Sequence, residues 1–280
     1  MARTKPQRAL EMALAAHAAY PDGRKSIDDL ELDSWHPFVE GPIEGFVGST
    51  GKKVILAFRG STFTHGDYDT LTWMDRAFTD WTANFSLNPQ QYHSGLVQGS
   101  YLTTLRRAWP SITQLLSDHG AKDKNLWISG HSLGGSMATL AGAMCRWEMD
   151  LEVAGVYTYG APKIADEAFA HNYPAMLYRF ENRNDLIVHL PPAGHVIQLL
   201  RVLSSDIEEA LERWFGTNFV GWKPTGIGDL FYIDRKGKMI SDVSPADRLV
   251  GLVKAMVLDP AQLLQDHWIE SYCAAIDANL

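Results

Sequence analysis

Leu126-Trp127-Ile128-Ser129-Gly130-His131-Ser132-Leu133-Gly134-Gly135-Ser136-Met137-Ala138 decides how this chain is read. An apolar, β-prone segment runs straight into Gly130-x-Ser132-x-Gly134 and then into small helix-forming residues. That order predicts a strand, a sharp turn and a helix, with Ser132 on the turn. Gly130 and Gly134 leave space where a Cβ would clash, and Ser136, Ala138 and Ala141 let the following helix lie close on the sheet. The chemistry calls for such a turn because a serine hydroxyl is a poor nucleophile unless it is held clear of the backbone, near a base and beside amide donors. The helix N-terminus adds positive potential at the same point. Gly-x-Ser-x-Gly also arises by chance in Gly-rich turns; the strand before it and the small-residue helix after it favour a nucleophile.

Gly45-Phe46-Val47-Gly48 and Lys53-Val54-Ile55-Leu56-Ala57-Phe58 read as two strands joined by a tight turn at Ser49-Thr50-Gly51-Lys52. Residues 101–116 form a helix with Leu102, Leu105, Trp109, Ile112 and Leu116 on one side. Strands follow at 153–159 and 176–180, with a late strand and turn over 231–238 and helices around 249–257 and 268–276. Strands alternating with helices predict an α/β fold, a mostly parallel central sheet covered by helices on both faces. The length of 280 residues with 46% hydrophobic content suits one domain over 1–280. Within 193–226 the pattern loosens: Ser205-Asp206-Ile207-Glu208 is a capping box, and Ile207, Ala210, Leu211, Trp214 and Phe215 share a helical face. This extra helical insert packs on its own domain or meets acyl chains.

The formal net charge of −8 argues against a nucleic-acid partner and against electrostatic attachment to anionic lipid. No run of about 18 apolar residues spans a membrane. The basic segment Met1 to Arg8 has the charge of an export signal, but Glu11 and His17 interrupt the apolar stretch that such a signal needs next. Leu10, Ala13, Leu14 and His17 instead mark a surface helix, so the chain is expected to be soluble and cytoplasmic by default, with another export route left open. The sequon Asn84-Phe85-Ser86 carries no weight on its own. Cys145 and Cys273 are too few for a disulfide framework or a metal site; two free thiols or a single bridge are the readings. No cofactor and no metal are implied, and the oligomeric state is left open.

A serine nucleophile needs an imidazole to take its proton and a carboxylate to orient that imidazole, and where the serine sits on a Gly-x-Ser-x-Gly elbow between strand and helix they come in the order Ser, Asp or Glu, His. Asp185 lies just after the apolar strand ending at Phe180; Asp206, Asp229 and Asp234 are its rivals. His189, His195 and His267 all come after Asp185, and the residues alone do not choose among them, although His189 is close enough to steady the Asp185 loop. An oxyanion site needs the amide after the nucleophile, Leu133, and one from an early loop, for which Gly60-Ser61 after the strand at 54–58 is the obvious source.

Phe58-Arg59-Gly60-Ser61, Tyr92-His93-Ser94-Gly95, Gly130-His131-Ser132-Leu133-Gly134-Gly135, Thr158-Tyr159-Gly160-Ala161-Pro162-Lys163, Asn184-Asp185-Leu186-Ile187-Val188-His189-Leu190-Pro191-Pro192 and Asp266-His267 with Tyr272 stand in one order along the chain. Together they resemble the successive motifs of the class 3, fungal-type triacylglycerol lipases, from about Gly45 to Tyr272. The resemblance implies an α/β-hydrolase fold with a helical lid and a Ser132, Asp185, His267 triad, with Ser61 and Leu133 as oxyanion donors. It also implies an ester hydrolase acting on acylglycerols at a lipid–water interface, with phospholipase A1 or short-chain esterase as alternatives. A catalytically silent lipid-binding module is the reading from another class. The lid falls at 64–79, a segment longer than the family's, with Trp73, Met74 and Phe78 as candidate substrate-binding residues; a fixed loop is the alternative there. The insert at 193–226 stands where the family tends to carry His-x-Gly.

Overall fold

The computed structural model describes residues 5–61, 88–191, 223–241 and 243–280. The candidate lid at 64–79, with Trp73, Met74 and Phe78, lies outside the described residues. So do His195 and the insert at 193–226, apart from 223–226.

The chain begins with α1 (Lys5–Ala18), then the strands β1 (Ser34–Glu40), β2 (Ile43–Ser49) and β3 (Lys53–Phe58). A hairpin of β4 (Pro89–Tyr92) and β5 (Gly95–Gln98) leads into α2 (Gly99–Asp118), followed by β6 (Asn125–His131) and α3 (Leu133–Glu148). After β7 (Val153–Tyr159), α4 (Glu167–His171) and β8 (Leu177–Asn182) come β9 (Asp229–Ile233), β10 (Met239–Ile240), α5 (Pro245–Leu258), α6 (Pro260–His267) and α7 (Ile269–Asp277). Among the described residues the main sheet has eight strands, in the order β1-β2-β3-β6-β7-β8-β9-β10. Neighbours from β3 through β9 run parallel, and the pairs at both edges are antiparallel.

The central parallel strands β3, β6 and β7 are largely apolar because both faces are covered. On one face Leu102, Leu105, Ala108, Ile112 and Leu116 of α2 pack with α3, whose residues from Leu133 to Cys145 are all buried, over Val54, Leu56, Leu126, Ile128 and Val156. On the other, α1 and α7 cover Ile55, Ala57, Tyr157 and Phe180. The buried side of α1 is Ala9, Met12, Ala13 and Ala16; Leu10, Leu14 and His17, expected to mark it, lie at its margins, with Ala13 shared. Small residues win there because the helix backbone itself is a partner of the sheet. Ser129 Oγ donates to Met12 O at 2.6 Å, and Tyr159 Oη donates to Ala9 O at 2.5 Å. Glu11, buried on the same helix, is paired with Arg8 and Lys53.

β1 has no clear strand signal in the sequence: it carries Pro37, which an edge strand tolerates and a central one does not. Cys145 and Cys273 are free thiols, and burial pushes both up to about 12, so neither is a reactive thiolate near neutral pH. Among the described residues no helix is long and apolar enough to cross a membrane.

Candidate active site

Open parallel sheets place functional residues beyond the carboxyl ends of their strands. Here Ser61 comes after β3, Ser132 after β6, Gly160 after β7 and Asp185 after β8. The register aligns these ends, with Phe58 opposite Gly130, His131 opposite Tyr159 and Tyr159 opposite Phe180.

Ser132 occupies φ 55°, ψ −127°, a conformation that side chains other than glycine rarely adopt. The surrounding contacts hold it there: its amide donates to Tyr159 O at 2.9 Å, and its carbonyl accepts from Gly135 N at 2.9 Å. The turn is too tight for side chains at its flanks. A Cβ on Gly130 would lie 2.1 Å from Gly134 O, and one on Gly134 would lie 2.4 Å from Phe58 O.

Ser132 Oγ is 2.9 Å from His267 Nε2, and His267 Nδ1 is 2.8 Å from Asp185 Oδ2 and 3.0 Å from Oδ1. All three side chains are buried. An ionised Asp185 only accepts, so the shared hydrogen sits on Nδ1 and leaves Nε2 free to take the serine proton. Asp185 also accepts from Ile187 N at 2.8 Å and from Tyr272 Oη at 2.6 Å, while Tyr272 Oη accepts from Asn182 N at 3.0 Å. His267 ends α6, and Trp268 turns the chain into α7. That junction is tied to the acid loop through Asp266, whose carboxylate accepts from Asn184 N at 3.1 Å and Gln262 Nε2 at 2.7 Å. Asn182 Nδ2 in turn donates to the Asp266 carbonyl at 2.9 Å.

Of the oxyanion candidates, Leu133 opens α3, where a helix leaves its first amides without internal acceptors. Ser61 is the last described residue before 62–87. Its neighbour Gly60 abuts Ser132 so closely that a Cβ there would lie 2.8 Å from Ser132 Cβ. The rivals fall elsewhere: Asp229 begins β9, Asp234 accepts from Lys236 N and Lys238 N in the β9–β10 turn, and Asp206 lies outside the described residues. His189 belongs to a short 3-10 turn, Ile187–His189, where desolvation drives it down to about 4.

In the sequence Tyr272 shows no role of its own beyond its place in a motif, and Tyr20 and His131 inside the elbow show none. Tyr272 lies one helical turn and a bend beyond His267, so its spacing carries a faint signal; Tyr20 carries none.

A serine elbow on this mostly parallel, helix-covered sheet, with a histidine and an aspartate in line, defines an α/β-hydrolase fold. The chain belongs to the lipase (class 3) family, whose model matches residues 55–195. It is 31% identical over 189 residues to the secreted mono- and diacylglycerol lipase 1 of Fusarium solani, covering 61% of this chain and 51% of that protein. To the lipase of Rhizopus niveus it is 26% identical over 152 residues, covering 50% of this chain and 35% of that one. Among solved structures, the Rhizomucor miehei lipase propeptide complex superposes over 96% of this chain and 81% of that chain, with a TM-score of 0.63 at 17% identity. The matched part spans between about a tenth and about half of the length of the curated relatives.

Proposed function

We propose that the chain is a carboxylic ester hydrolase acting on acylglycerols through an acyl-serine intermediate. The observation that carries this reading is the unbroken hydrogen-bonded line from Tyr272 through Asp185 and His267 to Ser132. In it His267 Nε2 takes the Ser132 proton as Oγ attacks the ester carbonyl, and Asp185 stabilises the imidazolium that forms. The tetrahedral oxyanion is held by the amides of Leu133 and Ser61. His267 then protonates the leaving alcohol, and the same base activates water to free the acid. Lipase leads over phospholipase A1 and short-chain esterase on family membership and on the fungal relatives, one named lipase and one mono- and diacylglycerol lipase, and triacylglycerol is the substrate that the sequence motifs imply.

The segment 64–79 enters as a lid on its sequence alone. It mixes Leu71, Trp73, Met74 and Phe78 with Asp67, Asp69, Asp75 and Arg76, so it offers apolar side chains to a dry acyl groove and charges to water. Rates on a series of acyl esters, taken through the solubility limit of each, test the reading. A lipase jumps in rate at the limit, and Trp73→Ser blunts the jump more than it slows a soluble short-chain ester. A smooth saturation curve moves the assignment to esterase. Absence of turnover on every ester favours the silent binding module.

A further inference from the structure

Beside the triad line lies a second buried imidazole that takes no part in it. His131 Nδ1 is 2.7 Å from Tyr20 Oη, and its Nε2 is 2.6 Å from the carbonyl oxygen of His267. Tyr20 Oη is also 3.0 Å from Gly60 N. Counting hydrogens fixes the direction of every bond. The Gly60 amide can only donate, so it gives into Tyr20 Oη. The His267 carbonyl can only accept, so the single hydrogen of the neutral His131 sits on Nε2 and is donated there, and the bare Nδ1 takes the phenol's hydrogen. Desolvation first, and the nearby His267 second, lower His131 to about 3, so it stays neutral through the working range.

We infer that Tyr20 and His131 are positioning residues of the proposed reaction: a one-way hydrogen-bonded strut that holds the oxyanion turn at Gly60-Ser61 and the base-bearing residue His267 in one frame. The inference rests on the reading of Ser132 as nucleophile and Ser61 as oxyanion donor. Two further observations support it. The turn is pressed against the strut, since a Cβ on Gly60 would fall 2.4 Å from Tyr20 Oη and 2.8 Å from His131 O. The His131 and His267 rings lie 4.7 Å apart, so a cation at His131 would oppose the charge that His267 acquires during the reaction. With Nδ1 taking the Tyr20 hydrogen, the ring presents a donor, not a lone pair, to the His267 carbonyl. Tyr20 is delivered by the turn that closes α1, where its amide donates to His17 O at 2.9 Å. The N-terminal helix, which holds none of the reacting groups, is thereby part of the site.

Tyr20→Phe, His131→Gln and His131→Leu in the full chain test this. The readouts are kcat and KM on a soluble short-chain ester, expressed per serine titrated by a phosphonate, together with the melting temperature. Displacing an oxyanion donor by a fraction of an ångström predicts a fall in kcat of about 10- to 100-fold for Tyr20→Phe, with KM within about twofold. His131→Gln, whose amide still offers one acceptor and one donor, should retain more activity than His131→Leu. Tyr20→Phe with kcat per titrated serine within about twofold of the native value and only a lower melting temperature would reduce the strut to packing. Equal loss in His131→Gln and His131→Leu would do the same. If the native chain is not labelled at Ser132 at all, the nucleophile reading falls and the strut falls with it.

Discussion

Gly160→Ala places a single methyl group against Asp185 and His267, the proposed acid and base, without altering either. Gly160 sits at φ +61°, and a Cβ there would lie 2.7 Å from Asp185 Oδ2, 3.0 Å from His267 Nδ1 and 3.1 Å from His267 Cε1. Ordinary separation for such atoms is about 3.5 Å, so the methyl group enters roughly 0.4–0.8 Å too close. Gly160 N is itself pinned to Phe180 O at 3.1 Å, and Asp185 and His267 are each anchored from behind, so the displacement falls on the bond between them. A misplacement near 1 Å costs about 10²-fold in rate, and loss of the orienting acid about 10⁴-fold, which brackets the expected fall in kcat. The left-handed backbone adds about 1–2 kcal/mol of lost stability. Turnover of a soluble p-nitrophenyl ester gives the first quantity and denaturant unfolding the second. A folded Gly160→Ala protein with kcat within about threefold of native would refute the placement of Asp185 and His267 as the working pair.

His267→Ala should lower kcat by about 10⁴-fold or more and add little when combined with Ser132→Ala, whereas His189→Ala should leave kcat within about fivefold, all read by steady-state kinetics. Tyr272→Phe removes the donor to Asp185 and leaves the Asn182 amide without its acceptor, which predicts a loss of about 1–3 kcal/mol in urea unfolding. Acid should destabilise the fold through its buried imidazoles. Unfolded His131 and His189 take protons near 6.5 and the folded ones only near about 3 and about 4, so stability is full above about 6.5 and declines as pH falls toward those lower values. His189→Gln should narrow the gap between the urea midpoints at pH 5 and pH 7.5; an unchanged gap would contradict this.

The central strands are legible in the sequence because parallel strands buried on both faces are apolar throughout: Lys53–Phe58 and Val153–Tyr159 fall where the pattern places them. The elbow is legible for a different reason, since its glycines answer steric demands only a few residues away. The features that escape depend on contacts made far along the chain. Tyr20 meets His131 across 111 residues and Gly60 across 40, and Tyr272 meets Asp185 across 87, so none of these pairs leaves a local pattern. The inner face of α1 differs from the periodic pattern because alanine, a weak hydrophobic signal, is what a helix needs where strand side chains bond directly to its carbonyls.

Mass spectrometry of the chain after treatment with a serine-directed phosphonate tests most directly whether Ser132 is an activated nucleophile. One adduct per chain on the peptide containing Ser132, formed in step with the loss of esterase activity and slowed by His267→Ala, is the predicted result. Labelling at another residue, or full activity retained by Ser132→Ala, would contradict it.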